Sequence, residues 1–226
     1  MPTYTLEITL QSDAAFGMGA GVSGLVDSEV QQTAFGLPTL SGRSIKGLLV
    51  NECSEILYAL PDAQQAHWKA VAATLFGRRG DTQRKSTLFV GDAGIAPDLA
   101  AYLVKENKLS KQEILDALTD IRYQTAVNER GAPRDETLRA VRVLISGLTL
   151  YAALTFSAEP SADEKALLAS CVLALRRAGL GRTRGKGKLS AKITDRPLAP
   201  NEFAACQATT NLTRNWFVTF EGESNV

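Results

Sequence analysis

The sequence has little histidine and cysteine: of its 226 residues one is histidine, His67, and three are cysteine. A single histidine excludes HExxH and other multi-histidine metal sites, and a Ser-His-Asp triad would have to use His67. Cys53, Cys171 and Cys206 are far apart and form no CxxC pair, so neither a disulfide framework nor a cysteine zinc site is supported. Any metal would be a hard cation held by carboxylate and phosphate oxygens.

Long apolar runs are also missing. No stretch approaches the roughly 20 residues that cross a bilayer, and Met1 to Leu10 lacks the basic and then apolar regions of a secretory signal. We therefore expect a cytoplasmic protein without a membrane partner. The length predicts one large domain or two small ones, and 45% hydrophobic and 22% charged residues are typical of a globular protein.

Charge of one sign is not in excess, since the net charge is +1, but the basic residues are clustered. Between Arg176 and Lys192 there are seven basic residues and no acidic one, and four glycines alternate with cations over 179–188. We call 179–188 the Gly-basic loop. Glycine lets the backbone approach a ligand and cations supply charge, so the loop predicts phosphate binding, although a structural turn is the alternative. The candidate ligands are Gly181, Arg182, Thr183, Arg184, Gly185 and Lys186.

The periodicity of apolar residues predicts the order of the elements. Alternation predicts strands at 3–10, 87–93 and 121–127, one or two strands over 138–156, and strands at 188–193 and 216–220. Helical spacing predicts helices from Ser41 or Ser44 to Leu57, over 63–75, over 97–120 with a break near Asn107, and over 161–175 with Gly179 closing it. Without insertions this is the β-α-β-β-α-β order of an α+β sandwich, ferredoxin-like or RRM-like.

A second candidate anion site lies at the predicted helix start, SGRSIKG over 41–47. A helix N-terminus presents free N–H groups and partial positive charge, which favour an anion. Arg43 and Lys46 add charge, and Ser44 adds a hydroxyl. An ordinary capped helix with exposed basic residues explains the pattern equally well.

Together these motifs resemble the RAMP superfamily of CRISPR-associated proteins. The resemblance rests on the Gly-rich loop at 16–36, on GLVDSEVQQTAFGLPTLSGRSIKGLL at 24–49, on LFG and LFVGDA, and on GLGRTRGKGKLSAKI at 179–193. Within the superfamily the chain most resembles the backbone subunit of type III effector complexes. The resemblance implies one RAMP domain over 1–226, with a helical insertion at about 97–120 and a thumb hairpin at about 121–142.

The resemblance also implies partners. Several copies of the chain, with other CRISPR effector subunits, would bind a CRISPR guide RNA and a complementary target RNA. The helix start and the Gly-basic loop would hold guide phosphates. The thumb, with Arg122 and Arg130 as candidate contacts, would splay out one nucleotide at regular intervals.

Asp27 matches the family's catalytic aspartate, which implies a metal-dependent endoribonuclease that is active in the assembled complex. Target RNA carries its own nucleophile, the 2′-OH, and a carboxylate can take its proton or help to hold a divalent cation, here Mg²⁺. Two alternatives remain open: a catalytically inactive structural guide-RNA-binding subunit, and a guide-processing endoribonuclease. The scarcity of histidine disfavours the second, because such nucleases of the superfamily often use histidine as acid or base.

Overall fold

A computed structural model describes residues 1–17, 26–78, 80, 86–106, 109–125, 137–181, 184–206 and 208–224. These residues form six strands and seven helices. In chain order these are β1 (Thr3–Leu10), α1 (Gly42–Ala59), α2 (Asp62–Phe76), β2 (Leu88–Val90), α3 (Pro97–Glu106), α4 (Lys111–Leu118), β3 (Thr119–Gln124), β4 (Arg139–Leu144), β5 (Thr149–Phe156), α5 (Ala162–Ala174), β6 (Leu189–Thr194), α6 (Pro200–Ala205) and α7 (Leu212–Ser224).

Four of the strands form an antiparallel sheet in the order β2-β5-β1-β6. With α1 and α5 this is the predicted β-α-β-β-α-β arrangement, so the ferredoxin-like α+β fold is confirmed. The alternation of β1 explains its place, because Leu6, Ile8 and Leu10 point into the core that α1 and α5 cover.

Helix α1 begins where the sequence offers a cap. The Ser41 hydroxyl accepts the Ser44 N–H at 3.2 Å, so of the two predicted caps Ser41 is the one used. Asp92 also binds the helix start, because its Oδ1 accepts the Gly42 N–H at 2.8 Å. Below the cap, every fourth residue of the apolar stripe is buried: Ile45, Leu49, Cys53 and Leu57.

Strands β3 and β4 form a separate two-stranded hairpin where the thumb is predicted, paired from Thr119 with Leu144 to Gln124 with Arg139, and we call it the thumb hairpin. The predicted helical insertion ends slightly earlier than expected, at Leu118, because the first thumb strand takes the next two residues. The hairpin tip, 126–136, lies outside the described residues, and so does the candidate contact Arg130.

Two predicted details are wrong. The predicted strand at 216–220 is part of helix α7; Val, Thr and aromatic residues favour strands locally, but packing decides here. Trp216 meets Tyr4 with ring centroids 4.8 Å apart, and Phe220, one turn later, meets Trp68 at 4.7 Å. Gly179 does not close α5, which ends at Ala174.

At both outer edges of the four-stranded sheet, backbone groups are bound by other parts of the chain. At the β2 edge, Lys46 Nζ donates to the Leu88 carbonyl at 3.0 Å. At the β6 edge, the Ile193 N–H donates to Thr213 Oγ1 at 2.6 Å, and Thr194 forms a bridge with Asn211. Within the described ranges, no helix has the length and apolar character that crossing a bilayer requires.

Candidate nucleic-acid interface

The segment after β1, residues 11–15, is bound to both the thumb base and the Gly-basic loop. Ala14 exchanges two backbone hydrogen bonds with Leu144 at the end of β4, at 2.8 and 3.0 Å. The Ala15 carbonyl accepts the Leu180 N–H at 2.9 Å. This segment therefore holds the thumb and the loop side by side.

The glycines of the Gly-basic loop serve two different purposes. A Cβ at Gly179, whose φ is +88°, would lie 2.6 Å from the Ala15 carbonyl oxygen, and one at Gly187 would clash with the Ala178 carbonyl. Both glycines are therefore required for chain packing. Gly181 and Gly185 also have positive φ, but Gly185 faces open space. They remain available to a ligand.

The cations of the same loop are not equivalent. Arg184 is exposed, whereas Lys186 is half-buried near Gly181, with its Nζ buried and without a hydrogen-bond partner among the residues described. A buried ammonium group without a partner is unfavourable, so an anion that reached it would gain binding free energy. Arg182 and Thr183 lie outside the described residues.

Asp27 lies on the outer edge of thumb strand β4. Its N–H donates to the Ala140 carbonyl at 2.8 Å, and its Oδ2 accepts the Ala140 N–H at 2.6 Å. The residue is exposed and lines a cavity of about 470 Å³ together with Gly181 and Arg184 of the Gly-basic loop. The structure thus brings the predicted catalytic residue and two predicted loop ligands into one cavity.

The same cavity contains further polar residues. Arg139, one of the thumb arginines that could touch RNA, lines it together with Gln124, its partner at the end of the hairpin nearest the tip. Ser28 beside Asp27 lines it too, and the sequence offered no signal for Ser28 or Gln124. Arg139 and Arg184 make the walls around the Asp27 carboxylate cationic, as an RNA phosphate would require.

Ser44 lies in a neighbouring cavity of about 360 Å³, between the start of α1 and the Gly-basic loop. Gly47 of α1 and Gly179 of the loop line it too. It shares Ala15 and Leu180 with the Asp27 cavity, so the two are adjacent along the loop. A continuous strip therefore connects the helix start to Asp27.

Arg43 and Lys46 lie elsewhere. They line a third cavity of about 700 Å³, which has no described lining residue in common with the other two. Lys46 Nζ is bound to Ser86 Oγ at 2.6 Å as well as to Leu88, and burial lowers the pKa of its ammonium group. The structure thus separates these two candidates from Ser44 and from the Gly-basic loop.

The thumb arginines differ in environment. Arg122 is about half exposed, and its guanidinium binds the carboxylates of Asp13 at 2.8 Å and Asp120 at 3.1 Å. It does not line the Asp27 cavity, and contact with RNA stays a prediction for it. Arg142 is only 3% exposed and binds Glu29 at 3.0 Å and Asp116 at 2.9 Å.

The Asp27 cavity offers one carboxylate among its described lining residues rather than a carboxylate cluster. In the described part of the chain, no three His, Cys, Asp or Glu residues are grouped as metal ligands. Mg²⁺, however, is often bound through one or two carboxylates together with substrate phosphates and water. Because Oδ2 of Asp27 takes the Ala140 N–H, Oδ1 is the oxygen that would hold the ion.

Comparison with known proteins identifies the family. The fold is shared with a chain in the cryo-EM structure of the Type III-B Cmr-beta bound to cognate target RNA, with a TM-score of 0.61 and 13% identity over 85% of this chain and 97% of that chain. It is shared with a chain in the apo state of Type III-B Cmr-beta, with a TM-score of 0.58 and 15% identity over 84% of this chain and 96% of that chain. A chain in a Type IV-B CRISPR complex also shares it, with a TM-score of 0.57 and 13% identity over 92% of this chain and 99% of that chain. No curated protein matches the sequence. The family model of the RAMP superfamily matches residues 7–190, and the chain therefore belongs to that superfamily.

Proposed function

We propose that this chain is the backbone subunit of a type III CRISPR ribonucleoprotein, which binds guide RNA and cleaves the complementary target RNA at regular intervals. The observation that carries the proposal is the cavity shared by Asp27, Gly181 and Arg184. Its partners would be the guide, the target, further copies of the chain and other effector subunits. The shared fold with chains of Type III-B Cmr-beta and a Type IV-B CRISPR complex supports this assembly.

Guide RNA would follow the strip from Ser44 along the Gly-basic loop to Arg184. Backbone N–H groups and cations contact phosphates without reading the base sequence. Such binding suits a protein that must accept any guide, because base pairing supplies the specificity. Arg43 and Lys46 would contact RNA only where it passes the other side of α1, near Arg78.

Target cleavage would use the chemistry of RNA itself. The thumb splays out a nucleotide, so that its 2′-OH is brought in line with the adjacent phosphorus. Oδ1 of Asp27 would either take the proton of that hydroxyl or help to hold Mg²⁺. The 2′ oxygen would attack the phosphorus, the bond from phosphorus to the 5′ oxygen would break, and the 5′ oxygen would leave with a proton from water. Arg184 and Arg139 would stabilise negative charge on the phosphate, and Mg²⁺, where Asp27 and the RNA phosphates hold it, would supply further charge neutralisation.

One observation favours the inactive structural subunit as the second candidate. The Asp27 carboxylate accepts a hydrogen bond from the backbone of β4, which is also what a purely structural aspartate does at a strand edge. In that case the cavity would bind RNA without cutting it.

The proposal is tested with the assembled complex and a labelled target RNA. We expect regularly spaced cuts in a guide-complementary target when Mg²⁺ is present, and none with EDTA or with a scrambled target. Binding of the target without cuts would favour the structural subunit. Failure of the complex to retain guide RNA would contradict both candidates.

Lys186→Met is expected to weaken guide binding by roughly threefold to tenfold. The slope of log affinity against log salt concentration should fall by about one, as expected for the loss of one phosphate contact. The guide-free chain should lose no stability, because the variant removes an ammonium group that has no partner in the described structure. Filter binding at several salt concentrations and urea unfolding measure the two effects.

Lys188→Met is the matched control, because Lys188 is exposed on the same loop. We expect it to change guide affinity less than Lys186→Met does. Equal losses of affinity in the two variants, or a Lys186→Met chain that is destabilised with unchanged affinity, would contradict the assignment of Lys186 as a phosphate ligand.

A further inference from the structure

Asp13 joins three segments of the chain, two through its carboxylate and one through its backbone carbonyl. Its Oδ2 accepts hydrogen bonds from Nε of Arg122, on thumb strand β3, at 2.9 Å, and Nη2 of the same side chain lies 2.8 Å away. Its Oδ1 accepts the N–H of Ser146, in the turn between β4 and β5, at 3.2 Å. Its backbone carbonyl accepts the N–H of Gly187 in the Gly-basic loop at 2.8 Å.

The two walls of the Asp27 cavity belong to different segments. Asp27 is bound to thumb strand β4 through Ala140, and Gly181 and Arg184 belong to the Gly-basic loop. The distance across the cavity therefore depends on how the thumb is set against the loop. Asp13 lies within the segment 11–15 that is bound to both walls. It follows Ser12, whose hydroxyl accepts the Lys188 N–H at 2.9 Å, and precedes Ala14, which is bound to Leu144 of β4.

We propose that Asp13 is a positioning residue, which through Arg122 and Ser146 fixes the thumb against the Gly-basic loop and so places Asp27 for target cleavage. This inference rests on the proposed function. The Asp13 side chain is about a quarter exposed and that of Arg122 about half. Ion pairs that water reaches contribute little to stability, so removing this one should leave the chain folded. The thumb angle should change, because Asp13 no longer holds Arg122.

Asp13→Asn separates positioning from simple electrostatics, because positioning acts on the cleavage rate and electrostatics acts on RNA affinity. Removing a negative charge beside the RNA strip would by itself tighten RNA binding. If Asp13 positions the thumb, the single-turnover rate of target cleavage instead falls by about tenfold while target affinity stays the same or increases. We also expect the cut positions to become less regular, because the thumb sets the spacing.

The control is Asp120→Asn, which removes the other carboxylate bound to Arg122 and leaves the pair with Asp13. We expect it to cut at the wild-type rate. Arg122→Gln should slow cleavage as Asp13→Asn does, and the double variant should be no slower than either single variant, because one interaction is lost in all three. Additive losses, or a wild-type rate for Asp13→Asn, would overturn the proposal.

A second measurement keeps this inference separate from the proposed function. Hydrogen exchange on the assembled complex should be faster in Asp13→Asn than in wild type across β3 and β4 and at the Ser146 amide, and unchanged in Asp120→Asn. If wild type binds its target without cutting it, the proposed catalytic function fails, but faster exchange still supports the positioning role. Unchanged exchange in Asp13→Asn overturns it, whether or not the complex cuts RNA.

Discussion

Target cleavage by an Asp27→Ala complex is expected to be about a thousandfold slower than by wild type in a single turnover, with guide and target affinities within about twofold. The variant removes the carboxylate that would accept the 2′-OH proton or help to hold the cation. Affinity should persist, because the backbone and cationic ligands of Gly181 and Arg184 are untouched. Gel analysis of cuts and parallel filter binding measure both quantities.

Asp27→Asn distinguishes the charge of the side chain from its hydrogen bond. The amide oxygen can still accept the Ala140 N–H, so the attachment to β4 is retained while the negative charge is lost. If the charge is needed, the asparagine variant is as inactive as the alanine variant. Asparagine at full activity would assign Asp27 a structural role, and alanine at full activity would exclude both roles.

Unfolding of an Arg142→Ala chain is expected to require about 3–5 kcal/mol less free energy than unfolding of wild type. The Arg142 side chain is 3% exposed, and its Nη1 also donates to Thr119 Oγ1 at 3.1 Å. Its removal leaves the Glu29 carboxylate, itself only 7% exposed, without its cation. Urea unfolding followed by circular dichroism gives the difference.

Arg122→Ala is the control. It removes an arginine from the neighbouring thumb strand β3, and the carboxylates that bind this arginine, those of Asp13 and Asp120, are in contact with water. We expect a loss of at most about 1 kcal/mol. The double variant Arg142→Met with Glu29→Gln should recover much of the lost stability, since neither group is then charged. Equal losses in Arg142→Ala and Arg122→Ala would contradict the role of burial.

The arrangement of the sheet could be predicted from the sequence because alternation and helical spacing are local signals. β1 and α1 show this, since their buried faces follow directly from Leu6, Ile8 and Leu10 and from the four-residue spacing that starts at Ile45. Helix α7 could not be predicted in the same way. Its contacts with Trp68 and Tyr4 are far apart in sequence, and its own residues favour strands.

The candidate site was predictable in its membership more than in its geometry. The alternating glycines and cations singled out the Gly-basic loop, and the resemblance singled out Asp27. Nothing in the sequence, however, distinguishes Gly187, which packs against the Ala178 carbonyl, from Gly185, which faces open space. The sequence does not distinguish the thumb arginines from one another either. Only the fold shows that Arg142 is buried and that Arg122 is bound to carboxylates.

The covered sheet edges have a consequence for how copies of the chain associate. An open edge strand lets another chain add to a sheet through backbone hydrogen bonds, and such growth has no natural end. Here the Leu88 carbonyl is bound by Lys46, and the β6 edge is bound by Asn211 and Thr213. In the proposed complex, copies would then join through side-chain surfaces on a shared RNA, so the length of the guide rather than that of a growing sheet would limit their number.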